Sequence, residues 1–106
     1  MERQLAISAL SALAQETRLD VFRLLVEAGP EGLPAGAVGA ALEIPSATLS
    51  FHLKELKSSG LIRCERHGTS RIYSPDFAAV NGLIQFLTAN CCRGGVGCDP
   101  ECPPVR

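Results

Sequence analysis

Four of the five cysteines in this chain lie within its last sixteen residues. They form an adjacent pair, Cys91 and Cys92, followed by Cys98 and Cys102. Cysteine thiolates are soft ligands that favour thiophilic ions, and cysteines spaced this closely are typical of a metal site or a redox site. The sequence therefore predicts that this segment binds a soft ion.

The number of sulfurs that bind determines which ions fit. Three thiolates form the pyramid that trivalent arsenic prefers, whereas four suit the tetrahedral coordination of zinc. Cys91, Cys92 and Cys98 supply three sulfurs, and three glycines in the intervening stretch allow the chain to fold back. Cys102 adds a fourth sulfur. Because ligand type alone does not separate these ions, arsenic, zinc, cadmium and lead all remain alternatives from the residues themselves.

The length of 106 residues allows one domain with a hydrophobic core, although a domain of this size often gains stability from a partner subunit. The N-terminus has no segment of the signal-peptide type, and no run approaches the roughly 20 apolar residues that cross a bilayer. We therefore expect a cytoplasmic protein that forms a dimer and has no membrane partner.

Positive charge is concentrated in the middle of the chain. Residues 46–73 carry a net charge of +3, whereas residues 1–45 carry −3 and residues 74–106 carry −1. A local basic region is typical of a nucleic-acid footprint, and an ordinary solvated face gives the same charge pattern. If the protein binds DNA, we expect the middle segment to make the contacts.

Hydrophobic periodicity predicts five helices, over about residues 5–14, 16–26, 35–42, 47–58 and 77–90. Ser46 is placed to cap the fourth helix at its N-terminus. The core positions predicted for the second and fourth helices are Leu19, Phe22, Leu25, Val26, Leu49, Leu53 and Leu56. The fifth helix carries an apolar stripe of Val80, Leu83, Ile84 and Leu87. The third and fourth helices, joined by a short turn, form a helix-turn-helix whose second helix has a basic, hydroxyl-bearing outer face.

Two β-prone runs, residues 61–66 and 70–73, follow the helix-turn-helix and are separated by His67, Gly68 and Thr69. This pattern predicts a hairpin. The predicted fold class is therefore mainly α with some β: a winged helix-turn-helix of about five helices and a two-stranded wing. Pro75 and Asp76 are expected to open the last helix. We expect residues 1–90 to form a DNA-binding and dimerisation domain and residues 91–106 to form a flexible, cysteine-rich tail.

Three segments carry a resemblance to a known family. They are residues 12–19 (ALAQETRL), residues 46–56 (SATLSFHLKEL) and the stretch from Gly60 to Tyr73. Together they resemble the ArsR/SmtB family of metal-responsive transcriptional repressors, most specifically in the block SATLSFHL. The resemblance implies a winged helix homodimer, assembled through its first and last helices, that occupies operator DNA until an inducer ion binds.

The resemblance also bears on the inducer. The cysteine motif that one branch carries in the helix-turn-helix is absent from residues 35–42, and no cysteine precedes Cys64. What matches is a vicinal pair at the end of the last helix and a third cysteine six residues later, which Cys91, Cys92 and Cys98 provide. The resemblance thus implies As(III) as inducer, with Sb(III) as a second candidate, and no organic cofactor. Cys102 is an additional candidate ligand, and Cys64 is expected to be a small packed residue.

The predicted DNA contacts lie on the fourth helix and the wing. Ala47, Thr48, Ser50 and Phe51 are placed to meet base edges, whereas lysines suit phosphates and wing-tip cations suit the minor groove or phosphates. His52 lies beside the leucine stripe and is equally compatible with packing. The full predicted set is Ser46, Ala47, Thr48, Ser50, Phe51, His52, Lys54, Lys57, Arg66, His67 and Arg71. A dimer would present each face twice, so an imperfect palindrome is expected as the operator.

The leading hypothesis is a repressor of an arsenic-resistance operon that leaves its operator when trivalent arsenic binds the cysteine triplet. One alternative keeps DNA binding but senses cadmium, lead or zinc, or oxidation that joins Cys98 or Cys102 to the vicinal pair. Another is a thiol oxidoreductase or metal carrier. An enzyme is not expected, because the sequence has no Cys-x-x-Cys pair at a helix N-terminus, no nucleophile and base set and no phosphate loop.

Overall fold

The computed structural model describes residues 1–90, which form five helices and one small antiparallel sheet. In chain order the elements are α1 (Arg3–Leu13), α2 (Glu16–Ala28), β1 (Leu33–Pro34), α3 (Ala35–Leu42), α4 (Ser46–Ser58), β2 (Ile62–His67), β3 (Ser70–Pro75) and α5 (Phe77–Thr88). This is a winged helix-turn-helix, as the sequence predicts. In this part of the chain no helix has the length and apolar character that a membrane crossing requires.

The core lies where α1, α2 and α4 meet the base of the sheet. Val21 and Leu25 of α2 are fully buried together with Leu56 of α4. The predicted face of α2 is wrong in part, because Leu19 and Val26 are about two-fifths exposed and Val21 takes their place in the core. A buried face shared by two neighbours is wider than the single stripe that a periodicity template assumes.

The helix-turn-helix consists of α3 and α4. Gly39 permits their close approach, since a side chain there would lie 3.2 Å from the carbonyl oxygen of Ile44 and 3.3 Å from the side chain of Leu49. The predicted stripe of Leu49, Leu53 and Leu56 is buried. The predicted capping role of Ser46 is wrong: Pro45 occupies the N-cap position and no side chain caps the helix. The fixed φ of proline suits this extended entry into the helix.

The sheet has three strands in the order β1, β3, β2, whereas the sequence predicts two. The additional strand is only two residues long, Leu33 pairing with Tyr73 and Pro34 with Ile72. Gly32 allows this pairing because its φ is +74° and a side chain there would collide with the carbonyl oxygen of Tyr73. Two residues are too few to give an alternating pattern, so the sequence shows only a turn here.

The last helix begins after Asp76, whose carboxylate accepts a hydrogen bond of 3.1 Å from the backbone N–H of Ala79. Pro75 belongs to β3 rather than to the helix start. The predicted tail and its cysteines, Cys91, Cys92, Cys98 and Cys102, lie outside the described residues.

Candidate nucleic-acid interface

The outer face of α4 is polar and cationic apart from one aromatic ring. Its inner side buries the three leucines, and Phe51 is 56% exposed on its outer side. The exposed residues of α4 are Ser46, Ala47, Thr48, Ser50, Phe51, Lys54, Lys57 and Ser58. The helix therefore presents one continuous outer surface of the size that enters a major groove.

His52 lies beneath this surface. Its side chain is only 7% exposed, and its Nδ1 lies 3.4 Å from Nη1 of Arg18 in α2. The same guanidinium donates a hydrogen bond of 2.8 Å from Nε to the carbonyl oxygen of Ala12 near the end of α1. Arg18 thus joins α1, α2 and α4, a role that sequence reasoning missed. The structure places His52 in this packed position, the second of the two roles that its place beside the leucine stripe allows.

A groove of about 280 Å³ separates α4 from the sheet, and three cations line it: Lys54, Lys57 and Arg71. Ser50 and Tyr73 complete the polar part of its wall. No acidic side chain lines this groove. Three cations from two elements around one space form a site suited to a polyanion such as a nucleic-acid backbone.

The wing adds a second concentration of charge next to this groove. Arg66 of β2 lies directly opposite Arg71 of β3 in the antiparallel register, and both side chains are exposed. Like charges that face each other across two strands destabilise a hairpin. A phosphate between the two arginines would relieve this repulsion, which favours a ligand-binding role for the pair.

On the other face of the wing, the charged side chains pair with one another. Glu65 accepts a hydrogen bond of 2.6 Å from Arg63 and lies 3.5 Å from Nε2 of His67. The hydrogen bond from Arg63, with a smaller contribution from His67, lowers the pKa of the Glu65 carboxyl. Strand alternation puts these three side chains on the face opposite Arg66 and Arg71. Of the predicted wing contacts, Arg66 and Arg71 share the face next to α4, and His67 does not.

The spacing of residues in β2 could have predicted which side chains lie on each face of the wing. Arg63, Glu65 and His67 recur with period two, so a consistent reading of strand alternation separates them from Arg66. Sequence reasoning missed it by grouping the cations at the hairpin tip by type rather than by face.

Cys64 is partly buried on the same face as the arginines and lies opposite Tyr73. Burial, together with a hydrogen bond with the Cys64 thiol, raises the pKa of the Tyr73 hydroxyl. Within residues 1–90, no three His, Cys, Asp or Glu side chains come together as a metal site. The predicted soft-ion ligands lie after this part of the chain.

A separate apolar surface lies on α1 and α5, which contact each other. On α5 only Leu83 is buried, whereas Ile84 and Leu87 are 53% and 56% exposed. The other exposed large apolar residues of the two helices are Leu5, Ile7, Leu10, Phe77 and Phe86. This number of apolar side chains on two neighbouring helices is typical of a subunit interface.

Comparisons with known proteins agree with this architecture. Residues 13–65 match the family model described as a helix-turn-helix domain. The transcriptional activator HlyU of Vibrio cholerae is 27% identical over 88 residues, which cover 83% of this chain and 79% of HlyU. Its solved structure superimposes with a TM-score of 0.67, covering 87% of this chain and 99% of HlyU at 28% identity.

Two further solved structures share the fold. An ArsR-like transcriptional regulator from Rhodococcus sp. RHA1 gives a TM-score of 0.75 at 22% identity, covering 86% of this chain and 83% of that one. The homodimeric winged helix-turn-helix DNA-binding domain Mb0332 of Mycobacterium bovis, described as a possible ArsR-family regulator, gives 0.65 at 25% identity. That match covers 91% of this chain and 89% of Mb0332.

Proposed function

This chain belongs to the ArsR family of helix-turn-helix transcriptional regulators, and we propose that it is the homodimeric repressor of an arsenic-resistance operon, released from its operator by trivalent arsenic. Membership makes it a DNA-binding transcriptional regulator rather than an enzyme. The proposal adds the partner subunit, the DNA-contacting residues, the inducer and the direction of regulation.

The apolar surface of α1 and α5 supports the homodimer. Ile84 and Leu87 are exposed among the described residues, and burying a side chain of this kind against a second copy would contribute about 1.5–3 kcal/mol. The Mycobacterium bovis relative with the same fold is homodimeric. A second copy of this chain is therefore the partner that we propose.

The outer face of α4 supports the operator contact. In the proposed complex the first turns of α4 meet base edges in the major groove, and Lys54, Lys57 and Arg71 meet the backbone around their shared groove. Arg66 extends this contact along the wing. Two such faces in a dimer match an imperfect palindrome.

The cysteine positions support the inducer. Cys91 and Cys92 follow the last residue of α5, Thr88, by three and four positions in the sequence. An ion that joins this pair to Cys98 would bind residues that follow α5 directly in the sequence. Binding would thereby change the helix that we assign to the dimer interface and, through it, the spacing of the two α4 helices.

The position of the vicinal cysteine pair in the sequence, directly after a helix with exposed apolar residues, is the observation that carries the proposal. Coupling between two such sites is typically about 1–3 kcal/mol and is reciprocal, so operator DNA should weaken arsenic binding by the factor by which arsenic weakens DNA binding. Cysteine thiols must lose their protons to bind as thiolates, so the affinity for arsenic should fall as the pH is lowered.

The test is a gel-shift titration of the full chain with arsenite. Wild type should leave operator DNA, whereas Cys91→Ser, Cys92→Ser and Cys98→Ser should remain bound at the same arsenite concentration. Cys64→Ser is the matched control and should respond as wild type does. Normal release of the three tail variants would refute the triplet.

Cys102 favours a second candidate, because a fourth thiol can complete a tetrahedral site for zinc, cadmium or lead or form a disulfide with the vicinal pair. This alternative would be selected if cadmium or peroxide, but not arsenite, released the wild-type protein from DNA and if Cys102→Ser no longer responded to cadmium or peroxide. HlyU is named an activator, so a reporter gene behind the operator is needed to establish that this chain represses.

A further inference from the structure

The half of α4 that would face the bases carries few hydrogen-bonding groups. Its exposed residues are Ser46, Ala47, Thr48, Ser50 and Phe51. None is an arginine, asparagine, glutamine or carboxylate, the side chains that read guanine, adenine and cytosine through their base edges. Hydroxyl groups of serine and threonine bond to several bases and discriminate weakly. Sequence selectivity must therefore draw on another kind of contact.

Phe51 is the largest group on this surface. Its ring is 56% exposed, while its neighbours His52 and Leu53 are buried, so the ring is largely dispensable for the core. It meets the His52 ring edge-on, with centroids 5.5 Å apart and planes at 62°, a contact that fixes its direction. Ala47 lies one helical turn earlier and therefore beside it, which produces a small apolar spot on an otherwise polar helix.

We propose that Phe51, together with Ala47, reads the 5-methyl group of thymine in the major groove, and that this apolar contact is the main direct source of operator selectivity. The inference rests on the proposed function, in which α4 enters the major groove. Thymine is the base that presents a methyl group there, and alanine and phenylalanine are side chains that contact it.

The charges around the spot identify DNA as its occupant. Lys54 lies one turn beyond Ser50, and Lys57 and Arg71 line the same groove as Ser50, with no carboxylate in its lining. An apolar protein partner would have to leave these cations unpaired, whereas a duplex supplies a methyl group in its groove and phosphates on either side.

The experiment begins with selection of operator duplexes from a random pool by the full-length wild-type protein. Each thymine of the selected operator is then replaced by deoxyuridine, which removes the 5-methyl group and leaves every hydrogen-bonding edge unchanged. Fluorescence anisotropy measures the affinity of each duplex. At one thymine position in each half-site, we expect a single replacement to lower the affinity about fourfold. Replacement of both symmetry-related thymines should lower the affinity about fifteenfold.

Three variants assign the methyl contact to a side chain. Phe51→Ala should lose most of the preference for thymine over deoxyuridine, because Ala47 alone retains only a small part of the apolar contact. Thr48→Ser removes an exposed methyl group that lies outside the proposed pair of Phe51 and Ala47, and should keep the wild-type preference for thymine. Lys57→Ala should lose affinity for both duplexes by the same factor, because a phosphate contact does not distinguish them.

Two results would overturn the inference while leaving the proposed function intact. One is operator binding that no deoxyuridine substitution weakens. The other is a preference for thymine that survives undiminished in Phe51→Ala, above all if Thr48→Ser abolishes it. Failure of the wild-type protein to enrich any duplex would instead reject its proposed role as an operator-binding repressor.

Discussion

The helices α4 and α5 have similar lengths and each carries an apolar stripe, but the stripe of α4 is buried within the chain and much of the stripe of α5 is exposed. In α4 the leucine stripe is fully buried within its own chain, and the exposed side carries polar and cationic groups. In α5 only Leu83 is buried, and Ile84 and Leu87 are exposed. Helix α4 thus packs into the core and exposes cationic side chains, whereas helix α5 exposes apolar side chains.

This difference separates the two proposed interfaces, because each surface attracts a different kind of partner. A polyanion is attracted to the cations of Lys54, Lys57 and Arg71, and the apolar face of α5 attracts another apolar face. Arg18 links the two surfaces: it donates a hydrogen bond to the carbonyl oxygen of Ala12 near the end of α1 and contacts His52 beneath the outer face of α4. A shift of α1 in the proposed dimer would therefore reach α4 through Arg18.

The largest effect should come from the inner side of α4. Leu56→Ala removes a fully buried side chain between α2, α4 and the sheet, and should lower the free energy of unfolding by about 3–5 kcal/mol. Urea denaturation followed by circular dichroism measures this loss. Phe51→Ala on the same helix is the matched control and should change stability by less than about 0.5 kcal/mol, because its ring is exposed. Equal losses in both variants would contradict the division between the two faces.

The outer side of α5 should affect association rather than folding. Leu87→Ala is expected to weaken the dimer by about 1–2 kcal/mol, because its exposed side chain is assigned to the interface. Sedimentation equilibrium measures the change. Phe51→Ala serves again as the control, since an exposed ring on α4 should leave the dimer constant unaltered. If Leu87→Ala and Ile84→Ala both associate as tightly as wild type, the apolar surface of α5 serves another purpose.

The sequence predicts α4 better than α5, and the reason is physical. The leucine stripe of α4 is satisfied inside the chain, so its periodicity reports the core directly. The stripe of α5 has the same appearance, yet Ile84 and Leu87 are exposed. Periodicity shows that a side chain is apolar but not whether its neighbour belongs to the same chain. From the sequence, the assignment of the first and last helices to the interface depends on the family resemblance.

The candidate DNA surface was predictable residue by residue on α4 and less so on the wing. A helix wheel separates Leu53 from Lys54 without knowledge of the fold. The division of Arg66 and His67 between two faces depends on the strand register, and the link between Arg18 and His52 joins residues far apart in sequence. Such contacts depend on tertiary packing, which single-sequence patterns do not specify.

The cationic groove should affect DNA binding without affecting folding. Lys57→Gln is expected to reduce the salt dependence of operator affinity by about one unit of slope for each protomer, because one phosphate contact is lost. Anisotropy titrations at several salt concentrations measure the slope. Arg23→Gln removes a cation from the exposed surface of α2, outside the groove, and is the matched control. A slope that is unchanged in Lys57→Gln would remove this lysine from the phosphate contacts.

The smallest effect should come from Glu65, whose ion pairs lie on the wing face turned away from the groove. Exposed pairs contribute little to stability, so Glu65→Gln should unfold at nearly the same urea concentration as wild type at neutral pH. Because hydrogen bonds from Arg63 and His67 lower its pKa below 4.5, the carboxylate stabilises the folded state above that value.

This contribution must disappear as the pH falls through the lowered pKa, since protonation then occurs in the folded protein as well. The small difference between wild type and Glu65→Gln should therefore be present at neutral pH and should shrink as the pH falls below the ordinary titration range of a glutamate carboxyl, as measured by paired urea titrations. Operator affinity should change less than in Lys57→Gln, because Arg63 and His67 are released on the face away from α4. A larger change in affinity would mean that this face of the wing also contacts DNA, and the wing would then have to lie deeper against the duplex than Arg66 and Arg71 alone require.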